Sequence, residues 1–598
     1  MSVRRLKFRM AGTILVIAAA WSGLGARLAW LHLAPQEERR AMMNRTRMVR
    51  QELIVSRGRI MDRHGIILAT DRRRYHVNAD PSSIQADGKV DFFAASLSHV
   101  MSLPRAELLE KLNRPRRRQV YVAQGLEEDA ASVVPMLNRV RNPRKIPYLW
   151  LEPVYDRHYP QELSACHVIG FANREGKGQA GIELMKDSFL RGVPGERESL
   201  RDARGNEQPI HRLTFRPPEP GDTVELTLDI NLQRITEDAL EAAKAEHGAQ
   251  GAWSIMMDVR TGEILALAAR PGFDLNHYGR ASEDEWLNRP IGYSYEPGST
   301  FKAPVIAAAF NEGLVQPETL FDCEHGAWIY QGRPLRDYHP YGRLSVADIL
   351  KKSSNIGTAK IALMLGESRA EQYLRAFGFG ERTGIDLPGE EAGILRPAST
   401  WDRLTLSRMA MGHSVVATSL QIVNAFACLA NDGVRMRPSI VRRITSARGV
   451  VLEEFRPTPV ARPIRPETAQ LMMRLLSRVT EDGGTGRRAS VPGYAVAGKT
   501  GTAEKLTNGR YDPSRNVSSF VGVVPADRPR LAMIVVVDEP ATARGTGGLV
   551  AAPVFARIAG EALRYLDIPP EGPVRVIEPL RDEPINVEED SYALGFAG

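Results

Sequence analysis

"PGYAVAGKTGTAEK", residues 492–505, decides the fold. Gly493 to Thr500 spells G-x-x-x-x-G-K-T, the pattern of a phosphate-cradling loop. Further on, "LAMIVVVDEP" (531–540) ends in Asp538-Glu539, like the magnesium-holding strand of nucleotide-hydrolysing enzymes. Such a loop needs a strand before its first glycine and a helix opening at its Lys-Thr. Here strand-like alternation lies inside the supposed loop. The next stretch, "EKLTNGRYDPSRN" (504–516), carries Gly, Asn, Asp and Pro and no helical run. "SSFVGVVPA" (518–526) and "RLAMIVVVDEP" (530–540) then read as two strands joined by a short turn at Asp527-Arg528-Pro529. That is an antiparallel hairpin, whereas a phosphate-loop fold sets helices between parallel strands. The sequence therefore predicts a strand through Lys499-Thr500-Gly501.

A chain of 598 residues is too long for one ordinary domain. Its 43% apolar and 25% charged residues are those of globular protein with ample core. The net charge of +8 is spread along the chain and too mild to argue for a nucleic-acid partner. Cys166, Cys323 and Cys428 are widely separated and odd in number. They fit no zinc spacing or disulfide framework and read as buried small hydrophobes.

The amino terminus points to a membrane. Arg4, Arg5, Lys7 and Arg9 precede a segment, Met10 to Leu33, whose only charge is Arg27. A helix of that length crosses a hydrocarbon core of roughly 30 Å. Arg27 lies near the far end, where it can snorkel, and Trp21 and Trp30 suit an interface. "GARLAW" is a poor cleavage site, so an uncleaved signal anchor is expected. Arg39, Arg40, Arg45, Arg47 and Arg50 balance the basic residues before the span. A short stub ahead of one span and a large body behind it favour the body outside, where ATP is scarce.

The remaining segments divide into two domains and a tail. Residues 34–220 mix short strands and helices, with "RGRIMDRHGIILATD" (57–71) a hairpin turning at His64-Gly65. "EPGD" (219–222) marks a boundary. Beyond it "TVELTLD" alternates as a strand, and "INLQRITEDALEAAKAEH" has helical periodicity. "SIMMDVRTGEILALAA" (254–269) is a hairpin turning at Thr261-Gly262. The expected organisation is a stub at 1–9, a span at 10–33, a mixed α/β pedestal at 34–220, a second domain at 221–565 and an acidic, disordered tail at 566–598. From Asp567 the tail holds eight carboxylates against two arginines.

The chemistry begins at "YEPGSTFKAPVIAAAFNEG" (295–313). Ser299 and Lys302 stand three apart at the start of an apolar helical run, which puts both on one face. A serine hydroxyl needs an adjacent base, and a lysine serves as one only when burial or a nearby cation lowers its pKa. A helix start also favours developing negative charge. Alone, S-x-x-K is a frequent chance match. "LKKSSNIGTAKIALML" (350–365) adds Ser353-Ser354-Asn355, an S-x-N whose plainer reading is a helix N-cap. Lys499-Thr500-Gly501-Thr502 supplies a K-T-G.

The ordered set S-x-x-K, S-x-N, K-T-G is that of penicillin-reactive serine enzymes. The chain resembles a class B penicillin-binding protein from residue 1 to about 565. "RGRIMDRHGIILA", "RHYPQELSACHVIGF" and "GKGQAGIE" resemble the family's pedestal motifs. "TLDINLQ", "TGEILALAARPGFDLN", "MGHSVVATSLQIVNAFACLANDGV" and "GGLVAAPVF" resemble its transpeptidase signatures. "TSLQ" (418–421) departs by a serine where the family usually has proline. "NRPIGYSYEPGSTFK" is more similar to the cell-division branch than to the elongation branch.

The resemblance implies an α+β, multi-domain fold: transmembrane helix, pedestal, and a transpeptidase domain with a central antiparallel sheet flanked by helices. It implies a peptidoglycan D,D-transpeptidase that cross-links stem peptides, releases D-alanine and is a β-lactam target. Ser299 would attack the penultimate D-alanine carbonyl, neutral Lys302 would take its proton, and Ser353 would relay it to the departing D-alanine. Asn355 would hold the substrate amide and fix Lys302. Lys499, Thr500 and Thr502 would bind the terminal carboxylate, with the Lys499 charge lowering the Lys302 pKa. Gly501 would let the substrate lie beside the strand, and the backbone N–H groups of Ser299 and Thr502 would form an oxyanion hole. No metal or organic cofactor is implied. The expected location is the cytoplasmic membrane with the catalytic domain outside. The expected protein partners are a SEDS-family glycan polymerase and divisome membrane proteins. An elongation-branch enzyme, and a β-lactam sensor or β-lactamase, are the alternatives.

Overall fold

Strand and helix signals recur in the computed structural model, which describes residues 3–33, 48–114, 117, 119–138, 148–201, 207–507, 509–541 and 545–570. The expected acidic tail lies, beyond Pro570, outside the described residues. Two units form: Met1–Val55 with Val193–Glu219, and Ser56–Gly192 with Pro220–Gly598.

In the first unit the apolar amino-terminal segment is a single helix, Val3–Leu33. Its stretch Leu6–His32 has a mean hydropathy of 1.6 and none of it is buried, so it is long and apolar enough to cross a bilayer. The Arg27 guanidinium lies over the Trp30 ring, 4.7 Å from its centroid, near the C-terminal end of this helix. The same unit holds a three-stranded antiparallel sheet in the order Met48–Leu53, Gly195–Arg201, Glu207–Arg216.

In the second unit the predicted hairpin at His64-Gly65 forms, pairing Ile60–Met61 with Ile67–Ala79. It belongs to a seven-stranded sheet that also holds Val120–Leu126, Leu149–His158, Thr223–Leu226, Val441–Thr445 and Val451–Glu454. Ile60 and Met61 pair in parallel with Val224 and Glu225. One sheet thus runs continuously across residue 220.

The three pedestal motifs meet in one buried ion network. Arg57 Nε donates to Glu183 at 2.5 Å and its Nη1 to Asp187 at 2.7 Å. Arg157 donates to the other Glu183 oxygen at 2.6 Å and to Asp71 at 3.0 Å. Tyr159 OH adds a third bond to Glu183, at 3.3 Å. Glu183 is fully buried, and two guanidiniums clamp it. Buried charges of this kind are tolerated only when paired and hydrogen-bonded. The residues of "RGRI", "RHYP" and "GIE" therefore share a structural cause: they tie the first hairpin, the strand ending at His158 and the helix Gly181–Met185 together.

The second sheet is wholly antiparallel, in the order Ile264–Arg270, Gly251–Asp258, Leu531–Asp538, Arg510–Val524, Ala497–Thr507. Helices cover both faces. Ala252, Met256, Val535 and Val537 pack with Ile230–His247 and Ala551–Tyr565. Trp253, Ile255, Ile534 and Val536 face Ser419–Ala430 and the helices beyond it. Burial on both sides explains why "LAMIVVVD" is a continuous apolar run. The predicted central antiparallel sheet flanked by helices is what forms, with both hairpins turning where expected. The three cysteines are free and buried. The sheet leaves Ala497–Thr507 as its edge, and that edge strand carries Lys499.

Candidate active site

Ser299 lies in a single 3-10 turn, Gly298–Phe301, which runs directly into the helix Lys302–Asn311. Side chains three apart eclipse in such a turn, so Ser299 and Lys302 share one side. Gly298 has φ +57°, and a Cβ there would meet Thr502 O at 2.8 Å, so only glycine lets the turn approach the edge strand this closely. Lys302 to Phe310 are all buried, while Ser299 keeps partial exposure.

The amine of Lys302 donates to Asn355 Oδ1 at 2.7 Å and to Ser353 Oγ at 3.1 Å. Lys499 Nζ reaches the same Ser353 hydroxyl from the edge strand, at 2.8 Å. S-x-x-K, S-x-N and K-T-G therefore converge on one hydroxyl. Ser353 caps the helix Val346–Lys352 in a left-handed conformation, φ +62°, which is strained for a residue with a side chain. Ser354 is the N-cap of the helix Asn355–Leu365, accepting from Gly357 N at 3.0 Å. The helix-cap reading of "SSN" holds at Ser354. Ser354 takes the cap, which leaves Ser353 and Asn355 to face the lysines.

Both lysines are fully buried. Burial pushes the Lys302 amine down to about 7, against the nearby Asp337 carboxylate, which favours its charge. Burial also holds Lys499 well below the ordinary lysine value, and the charge of Lys302 adds to this. Lys302 was expected to be lowered by the charge of Lys499. Desolvation is what lowers it, and the repulsion between the two amines bears on Lys499.

Asp337 has no counterpart among the sequence motifs. Its carboxylate accepts from Ser354 Oγ at 2.6 Å, from Ile356 N at 3.0 Å and from Asn355 N. It sits at the start of the Asn355–Leu365 helix, where an anion is favoured, and fixes the S-x-N turn. Glu296 is a second such residue. It accepts from Ser414 N at 2.9 Å and Tyr511 OH at 3.0 Å, and lies 3.0 Å from His413 Nδ1. It clamps the loop after Met411 and the hairpin of the edge strand to the Ser299 turn. A Cβ on Gly412 would meet Gly298 O at 2.1 Å, so that loop packs directly against the turn.

Two segments of the chain match known families. Residues 253–560 match the penicillin binding protein transpeptidase domain, and residues 53–226 match the penicillin-binding protein dimerisation domain. The chain belongs to the monofunctional penicillin-binding-protein D,D-transpeptidases. It is a serine-type transpeptidase of peptidoglycan synthesis. It is 31% identical to the probable peptidoglycan D,D-transpeptidase PenA of Neisseria meningitidis over 567 residues, covering 95% of this chain and 94% of the relative. With the peptidoglycan D,D-transpeptidase FtsI of Escherichia coli K12 it shares 29% identity over 569 residues, 94% of this chain and 92% of the relative. Penicillin binding protein 3 of Mycobacterium tuberculosis, solved with aztreonam, superposes with a TM-score of 0.68 at 27% identity, over 88% of this chain and 99% of that one.

Within this transpeptidase, Lys302, Ser353, Asn355 and Lys499 are joined by hydrogen bonds, and Ser299 lies on the turn that leads into Lys302. Thr500 and Thr502 lie on the edge strand beside them. Thr500 Oγ1 donates to Thr485 Oγ1 at 3.0 Å, and Thr502 Oγ1 accepts from Gly547 N at 3.1 Å. Gly501 has a different reason to be glycine from the one expected. A Cβ there would meet Ser519 Oγ at 2.3 Å and Thr300 Cγ2 at 2.9 Å. It points into the protein, under the Ser299 turn, and the absent side chain makes room for Thr300.

Proposed function

We propose that Ser299 is the acylated nucleophile and that the substrate is a stem peptide ending D-Ala-D-Ala. Lys302, neutral when its neighbour carries the proton, takes the Ser299 proton. Ser353, held between two amines, relays a proton to the departing D-alanine. Asn355 fixes Lys302 with its oxygen. One Nδ2 hydrogen is committed to Arg336 O at 2.8 Å, which leaves the other for the substrate amide. Lys499, with Thr500 and Thr502, binds the terminal carboxylate, whose charge restores the proton that burial disfavours on Lys499. The backbone N–H groups of Ser299 and Thr502 receive the oxyanion. The ester then passes to an amine of a second stem peptide, forming the cross-link. A β-lactam acylates the same serine.

The observation that carries this reading is the meeting of Lys302 and Lys499 on Ser353 Oγ beside the Ser299 turn. The matched dimerisation domain favours a cross-linking enzyme over a β-lactamase or β-lactam sensor. The Val3–Leu33 helix anchors the chain in the cytoplasmic membrane, with residues 1–9 inside and the pedestal at 34–220 and transpeptidase domain at 221–565 outside. "NRPIGYSYEPGSTFK" supports a role in septal synthesis, with a SEDS-family glycan polymerase and other divisome proteins as membrane partners; elongation is the alternative. Purified protein given nascent glycan strands should release D-alanine and form cross-linked dimers, both abolished by penicillin. Persistent D-alanine release in the presence of penicillin would refute the assignment.

A further inference from the structure

The edge strand carries one carboxylate that the mechanism does not use. Along Ala497–Thr507 the side chains alternate. Lys499, Gly501 and Ala503 are buried, while Thr502, Glu504 and Leu506 are exposed. Thr502 and Glu504 therefore share one exposed side of the strand, with Thr500 buried on that same side at the proposed carboxylate-binding end. The regular ladder stops at Glu504, which pairs with Asn516 before the register shifts and Lys505 pairs with Asp512. Bulges of this kind re-aim side chains beside active sites.

The carboxylates around it are all committed. Glu296 is held by Ser414, Tyr511 and His413, and Asp337 by the S-x-N turn. Asp538 and Glu539 are paired with Lys505 at 2.7 and 2.8 Å. Among the described residues Glu504 has no ion-pair or side-chain hydrogen-bond partner. A solvated edge-strand charge that blocks strand pairing is the plainer explanation, but the position on the side that carries Thr502 calls for more.

An extended peptide added antiparallel to this edge, with its C-terminal carboxylate at Lys499, runs its upstream residues past Thr502 toward Glu504. At about 3.3 Å per residue, Glu504 faces the peptide two residues upstream of the group facing Thr502. The cross-linking reaction draws donor and acceptor stems from one pool. A donor that has not yet served as acceptor therefore carries a free amine upstream of its D-Ala-D-Ala. We propose that Glu504 is a specificity residue that pairs with this ammonium on the donor stem peptide, favouring donors whose amine has not been consumed in a cross-link. The inference rests on the proposed binding of the donor's terminal carboxylate at Lys499, Thr500 and Thr502.

The test compares two synthetic stem pentapeptides ending in D-Ala-D-Ala, one with its side-chain amine free and one with it acetylated. The readout is the kcat/KM for D-alanine release at low and high salt. An exposed ion pair predicts a preference for the free amine of up to about fivefold in the wild type, shrinking as salt screens it. In Glu504→Gln the ratio should fall to about one at either salt concentration, and in Glu504→Lys below one. A wild-type ratio of one, or the same ratio in Glu504→Gln as in the wild type, overturns the proposal. A preference that arises only when acyl-enzyme partitions among added amines overturns the donor assignment in favour of the acceptor. Penicillin labelling of each variant separates the two levels. Absence of a Ser299 adduct in the wild type refutes the underlying function, whereas labelled variants with an unaltered peptide ratio refute only the role of Glu504.

Discussion

The pH dependence of acylation should report Lys302 directly. The amine must be neutral to accept the Ser299 proton, and burial brings it down to about 7 from the ordinary lysine value of 10.5. At pH 6 roughly one site in ten is then competent, at pH 8 roughly nine in ten. The second-order rate of acylation by a β-lactam should rise about tenfold across that interval and level off above it. An undisplaced lysine would instead give a rise of about a hundredfold, with no plateau in the range. The sign follows from the charged form being the one that burial disfavours. Asp337 acts in the opposite direction, favouring the charge on Lys302. Asp337→Asn should therefore move the midpoint to lower pH, whatever it does to the maximal rate. Stopped-flow measurements with a chromogenic β-lactam between pH 5.5 and 8.5 give the curve. A rate that climbs tenfold per pH unit throughout, or one flat across the range, would refute Lys302 as the base.

Lys499→Ala removes the proposed charge-assisted bond to the carboxylate and should slow β-lactam acylation by roughly a hundredfold or more. An unchanged acylation rate would contradict that role. Gly501→Ala should slow acylation at least tenfold by displacing Thr300 and the nucleophile turn. Because the overlap is with Ser519 Oγ and Thr300 Cγ2, adding Ser519→Gly should restore part of the rate; no recovery would mean that the added methyl obstructs the ligand instead. Glu183→Gln leaves Arg57 and Arg157 buried without their shared carboxylate and should cost about 3 kcal/mol or more, read by denaturant unfolding. A loss under 1 kcal/mol would show that the pedestal network does not hold the fold.

How far the site was legible depended on the distance over which each signal acts. The turn that sets Ser299 three residues before Lys302 and a helix cap within Ser353-Ser354-Asn355 are local features that the spacing suggested, although S-x-x-K by itself is a frequent chance match. The strand through Lys499 was legible because alternation and the turn at Asp527-Arg528-Pro529 contradict a phosphate loop. Asp337 was not legible, because its partners Ser354 and Asn355 are reached only through the folded chain. The left-handed backbone at Ser353 was hidden too, since serine is not a residue that advertises positive φ. The pedestal motifs were recognisable only as a resemblance. Their cause, two arginines from distant segments closing on Glu183, needs the tertiary structure. The reason for Gly501 was misread for the same cause: a sequence shows that a side chain is absent, not which neighbour fills the space.

The most direct test of the central claim is the site of covalent attachment. Intact-mass analysis of the purified protein after exposure to a penicillin should show one adduct, and peptide mapping should place it on Ser299. Ser299→Ala should remain folded and carry no adduct. An adduct that survives in Ser299→Ala, or that maps to another residue in the wild type, would contradict the account.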